Sequence, residues 1–143
     1  MTEQAAVAVR PTTTGDRDAV VRALTEAFAD DPVFSWIYPD RDNRHRVLPG
    51  FFALFEEHSS RKGANLIAGD GHGAAIWVPP GQDLVDAADE EAFGTALVAL
   101  SPDDVGRLMA SNELFEAHHP TEPHWYLSLL GVTTAHQLSL IHI

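Results

Sequence analysis

Cysteine is absent from this chain of 143 residues. Its absence excludes disulfides and thiolate metal sites, and by itself names no compartment. Cations are scarce: 9 Lys and Arg stand against 21 Asp and Glu, for a formal net charge of −12. That balance repels phosphate backbones and argues against nucleic acid as a partner. It favours cationic substrates such as amines through long-range attraction, although an acidic surface also serves plain solubility. No apolar run reaches the length of a membrane span, and the N-terminus lacks the basic start and apolar stretch of a signal peptide. The expected compartment is the cytoplasm, with no membrane partner. Internal repeats and low-complexity tracts are missing as well. What remains is a chain of single-domain length, 45% apolar, which suffices for a folded core.

Periodicity divides the chain into elements. Val7 to Pro11 alternates like a strand that Pro11 ends or confines to an edge. Asp16 is expected to cap a helix over residues 17 to 29, where Val20, Val21, Leu24, Ala27 and Phe28 share one face. Asp30-Asp31-Pro32 closes that helix, and Phe34 to Tyr38 follows as a short irregular or helical stretch. Asn43 to His58 reads as a helix kinked or broken at Pro49-Gly50. Asn65 to Ala68 and Ala74 to Val78 are strands about a Gly-Asp-Gly-His-Gly hairpin loop. A helix over about 89 to 100 precedes a second helix start at Ser101, where Pro102 and two acids suggest a serine cap. Trp125 to Val132, apolar on both faces, reads as a central strand. This order of strand, two helices, two strands, helices and strand belongs to an α+β or mixed α/β layer fold.

The chain's end carries the most specific pattern. Trp125-Tyr126-Leu127-x-x-Leu130-Gly131-Val132-x-x-x-x-Gln137 resembles the fourth strand of GNAT-superfamily N-acetyltransferases and its approach to the acetyl-CoA site. The element order resembles the front half of that fold, a central, mainly antiparallel sheet flanked by helices. The resemblance implies transfer of an acetyl group from acetyl-CoA to a primary amine. It implies that the backbone of Leu130, Gly131 and Val132 pairs with the pantetheine arm like an added strand. Gln137 would then open a glycine-rich pyrophosphate loop, whose N–H groups bind phosphate at a helix start. Val132 N–H would polarise the thioester carbonyl. Trp36, Tyr38 and Tyr126 are expected in the wall of an amine pocket. Core packing is the plainer role for each of these three.

After Gln137 the chain reads Leu-Ser-Leu-Ile-His-Ile, without glycine. One reading frame of a transposon end used in DNA-library preparation, CTG-TCT-CTT-ATA-CAC-ATC, encodes those six residues. Residues 1–137 are therefore expected to be the N-terminal portion of one N-acetyltransferase domain, with 138–143 a non-native tail. Such a fragment is expected to be inactive and to expose an apolar edge along Trp125 to Val132. The general base is open among Glu113, Glu116 and Glu122, since some group must accept a proton before an amine can attack.

Two other classes compete. In one, the chain is a non-catalytic small-molecule or protein-binding module whose last strand is only core. In the other, His118, His119 and His124 serve a metal-dependent hydrolase. Their spacing matches no helical i, i+4 ligand pair, so no metal is expected.

Overall fold

A computed structural model of the chain describes residues 7–137. Four strands form one sheet in the order β1-β2-β3-β4, with every neighbouring pair antiparallel: β1 Val9–Pro11, β2 Leu66–Ala68, β3 Gly73–Val78 and β4 Tyr126–Val132. Five α-helices accompany them: α1 Arg17–Phe28, α2 Pro32–Ile37, α3 Arg41–Ser59, α4 Glu90–Leu100 and α5 Val105–Ala117. The expected fold class is the observed one. The proposed tail 138–143 lies outside the described residues.

The core lies between the sheet and the helices. Ile67, Ala74, Ile76 and Val78 alternate to the helix face of the sheet and are buried. Ile67, Ala74 and Ile76 meet Val20 and Leu24 of α1 and Val47, Leu48, Phe51 and Phe52 of α3. Phe28, Phe34, Phe51, Phe52 and Phe55 form a continuous aromatic cluster, mostly in edge-on pairs with centroids 4.6–5.6 Å apart. That arrangement suits the charge distribution of aromatic rings. On the opposite sheet face Leu130 remains 53% exposed.

Four local expectations need correction. Asp16 does not cap α1. Its carboxylate lies in a preceding 3-10 turn, accepts from Thr13 N (2.7 Å) and pairs with both terminal nitrogens of Arg10. The Arg10 hydrogen bonds hold this carboxyl well below its usual range. Pro49 does not break α3, which runs through it. The face carrying Val47, Leu48, Phe51 and Phe52 is buried, and that packing outweighs one missing helical hydrogen bond. Ser101 caps no backbone N–H; its hydroxyl donates to Asp104 (2.7 Å) and accepts from Asn43 Nδ2 (3.0 Å). Among the described residues β4 is an edge strand, not a central one, because only β3 pairs with it.

Asp31 takes the capping role unassigned above. Its carboxylate accepts from Val33 N (2.9 Å) and Phe34 N (3.1 Å) and so starts α2 directly after α1. Buried Arg44 then fixes the junction by donating to the carbonyls of Ala29 and Tyr38, both at 2.8 Å.

Candidate functional site

Strand β4 carries a register shift. Ile76 pairs with Leu129, but Trp77 pairs with Leu127, so Ser128 has no partner on β3. One unpaired residue is a β-bulge, which bends a strand and changes the phase of its side chains. Beyond the bulge the ladder is regular through Leu130, Gly131 and Val132, opposite Ala75, Ala74 and Gly73. Thr133 N–H continues it by donating to the His72 carbonyl at 2.9 Å. Backbone groups alternate in direction along an antiparallel ladder. Thr133, Gly131 and Leu129 therefore address β3, while Leu130 and Val132 turn their N–H and C=O groups to the open edge. Consistently, Val132 C=O accepts from Gln137 Nε2 at 3.2 Å.

The residues expected along the cofactor rail are thus together, with different roles. Leu130 and Val132 present the edge that, among the described residues, no other strand covers. Gly131 faces α1 instead: a Cβ there would lie 2.9 Å from Ala27 Cβ and 3.1 Å from Leu24 Cδ2. This glycine lets a helix approach the strand closely. Gln137 folds back onto the rail's end. A 3-10 turn over Thr134–His136 is held there, with Thr134 N–H donating to the Glu26 carboxylate of α1 at 2.9 Å. The His136 ring stacks on His72 at 3.8 Å between centroids, and its Nδ1 lies 2.7 Å from Thr133 Oγ1.

The other end of β4 borders a cavity of about 530 Å³. Its walls come from the connection after β3, the C-terminal end of α5, residues 118–124 and Tyr126. Tyr126 pairs with Val78, and both side chains line this cavity. His119 lies edge-on to Tyr126 at 4.6 Å and is 4.7 Å from the His124 ring. His124 Nδ1–H donates to the Glu122 carbonyl at 2.6 Å, and its Nε2 is buried with no partner among the described residues. Glu116 and Glu122 line the cavity, whereas Glu113 does not.

Trp36 and Tyr38 lie apart from this lining. Trp36 is 52% exposed on α2, and Tyr38 is 1% exposed within the core. Burial, then the charge of Asp104, pushes the Tyr38 phenol up to about 12. Its buried hydroxyl has no partner among the described residues. Of the three aromatics expected in a pocket wall, Tyr126 alone lines the cavity beside β4. His118 is tethered to the helix end through the Leu114 carbonyl (2.9 Å). Among the described residues no group of three or more His, Cys, Asp or Glu is arranged to hold a metal ion. No described helix is long and apolar enough to cross a membrane. The bulge and the meeting of His119, His124 and Tyr126 were missed in the sequence. Ser128, the one polar residue in an apolar run, was the available sign of the bulge.

No protein-family model matches the chain. Among solved structures, the chain is similar to a Corynebacterium glutamicum protein described as histone acetyltransferase HPA2 and related acetyltransferase. The two are 25% identical with a TM-score of 0.61, over 95% of this chain and 68% of that one. With this likeness beside the element order and the antiparallel sheet, the chain has the fold of the GNAT acetyltransferases.

Proposed function

We propose that the chain's fold serves transfer of an acetyl group from acetyl-CoA to a primary amine of a small molecule, in the cytoplasm. The observation that carries this reading is the outward-facing backbone of Leu130 and Val132 on a strand edge that, among the described residues, no other strand pairs with. Acetyl-CoA would supply an activated thioester. The amides of its pantetheine arm suit such an edge, because alternate outward N–H and C=O groups repeat as in a β-ladder.

Fit is good along the rail and poorer at its end. Residues 133–137 offer no glycine, and Thr134 N–H is already bonded to the Glu26 carboxylate. A phosphate there would meet a negative charge. Weak cofactor affinity is therefore expected of this 143-residue chain, and with it little or no turnover.

One role changes on this reading. Tyr126 and Val132 are six residues apart on the strand, about 20 Å at the usual rise. An acetyl group presented to an amine near Tyr126 is beyond the reach of Val132 N–H. Leu130 carries the outward N–H nearest the bulge and is the better donor to a developing oxyanion.

Titration with S-acetylpantetheine, followed by backbone-amide NMR, tests the proposal. The Leu130 and Val132 amides should shift, with Gly131 less affected. Shifts confined to another surface, or none at the highest soluble concentration, would overturn it.

A further inference from the structure

We propose that the cleft between the end of β1 and the C-terminal end of α3 binds a small neutral polyol, whose hydroxyls donate to the Glu56 carboxylate. The site stands apart from the acetyl-transfer reading. β1 and β4 are opposite outer strands of the sheet, and the cleft shares no lining residue with the cavity beside Tyr126.

Glu56 points to a ligand. It is 4% exposed, and Arg17 Nε lies 3.3 Å from its Oε2 as an ion-pair partner. Among the described residues neither carboxylate oxygen takes part in a hydrogen bond. Neither oxygen is sealed in the packing, so both reach the open space of the cleft that this side chain lines. A buried carboxylate without hydrogen bonds is costly, and burial raises the Glu56 pKa against the opposing pull of Arg17. Rules broken at a cost in stability concentrate at functional positions. A ligand hydroxyl would supply the missing charge-assisted bond.

The lining sets the ligand's charge. Four hydroxyl residues, two arginines and two glutamates surround a volume of about 400 Å³, within the range of small-molecule sites. Each glutamate already has a counter-charge in the chain: Glu56 has Arg17, and Glu57 has Arg61 at 3.9 Å. No net formal charge is left for an ionic ligand to neutralise. A cation would crowd Arg17, and an anion would crowd Glu56. No aromatic or large aliphatic side chain lines the cleft, so an apolar body finds little to pack on.

Hydrogen-bonding capacity sets its chemistry. Arginine only donates, ionised glutamate only accepts, and threonine does both. The Thr13 hydroxyl donates to Asp16 (3.0 Å) and that of Ser60 to the Glu57 carbonyl (3.1 Å). Those of Thr12 and Thr14 bond nothing among the described residues. Donors and acceptors are thus mixed around one small cleft. A molecule whose every polar group both donates and accepts meets that mixture, and a polyol is such a molecule.

The test uses the full 143-residue chain. D-Sorbitol, D-glucamine and D-gluconate match in size and differ in charge at one end. They are titrated at about pH 7.5 and about 0.15 M salt, which screens the chain's overall charge, with backbone-amide NMR as the readout. Sorbitol should shift the amides of Thr12, Thr14, Arg17 and Glu56, and bind at least about threefold more tightly than either ion. Glu56→Gln keeps the size and loses the charged acceptor, so sorbitol affinity should fall about fivefold. Thr14→Val, at an exposed position, should weaken sorbitol and leave the urea midpoint unchanged. Lowering the pH through the raised Glu56 pKa should weaken sorbitol in the parent and not in Glu56→Gln, which a merely structural glutamate would not do. Tighter binding of either ion, shifts away from the cleft, no sorbitol binding up to its solubility limit, or an affinity indifferent to Glu56→Gln would overturn the proposal.

Discussion

Gly131→Ala separates a packing role from a cofactor role. The residue's φ is not positive, so alanine meets no backbone barrier. The added Cβ would stand 2.9 Å from Ala27 Cβ, 3.1 Å from Leu24 Cδ2 and 3.5 Å from Leu24 Cα. Leu24 is fully buried, and its Cα belongs to the α1 backbone, so the helix itself must give way. Overpacking of this kind costs about 1–3 kcal/mol. Loss of freedom in the unfolded chain returns about 0.4–1 kcal/mol. A net loss of about 1–2 kcal/mol is expected, read as a lower urea midpoint at constant slope. Ala27→Gly removes the nearest obstacle but loses about 1 kcal/mol of helix propensity. The double variant should therefore be more stable than the sum of the two single effects by at least about 0.5 kcal/mol. A Gly131→Ala protein as stable as the parent, or effects that simply add, would refute the close approach of α1 to β4. Because the Gly131 amide faces β3, the response of Leu130 and Val132 to S-acetylpantetheine should survive the substitution.

Glu56 is 4% exposed, and burial raises its pKa even though Arg17 Nε lies 3.3 Å away and opposes the shift. A folded pKa above the unfolded one means that stability present at low pH is lost as pH rises through the folded value. Glu56→Gln should accordingly be more stable than the parent at pH 7, with the difference gone below about pH 4. Urea midpoints across pH check this, and a pH-independent difference would contradict it. Tyr38→Phe removes a buried hydroxyl that has no partner among the described residues. It should leave the urea midpoint unchanged or raise stability by up to about 1 kcal/mol. A loss of more than about 1 kcal/mol would mean that the hydroxyl has a partner in the folded protein.

Much of the fold was legible because local rules and tertiary packing agree. Val20 and Leu24 recur at helical spacing and are buried in α1, and Gly69 and Gly71 adopt the positive φ that a glycine-rich hairpin suggests. Legibility failed where a distant partner overrides a local preference. Pro49 reads as a break, yet α3 continues because its neighbours Val47, Leu48, Phe51 and Phe52 are buried together. Gly50 reads as part of that break. Its own constraint comes from α4, since a Cβ there would lie 2.8 Å from Leu100 Cδ2. Ser101 reads as a cap, but Asn43 and Asp104 engage its hydroxyl first. The site follows the same division. The apolar strand and its Leu-Gly-Val segment are visible in one dimension. Which of those three backbones faces outward depends on β3, and the approach of His119 and His124 to Tyr126 depends on how the α5–β4 connection folds back.

Ser128 joins the two ends of β4. With unbroken alternation Tyr126, four residues before Leu130, would share its face and point away from the helices. The unpaired serine shifts the phase by one residue, and Tyr126 pairs with Val78 on the helix side. Its ring consequently meets His119 from the α5–β4 connection. Beyond the bulge the same strand has resumed a regular ladder, so its edge still offers evenly spaced backbone groups at Leu130 and Val132. One inserted residue thus lets a single strand present a side-chain pocket at its start and a backbone rail at its end. The two would have to meet near Ser128, where the strand bends. On the acetyl-transfer reading proposed above, that requirement, not the identity of any one side chain, would make Leu130 rather than Val132 the donor closest to a transferring group.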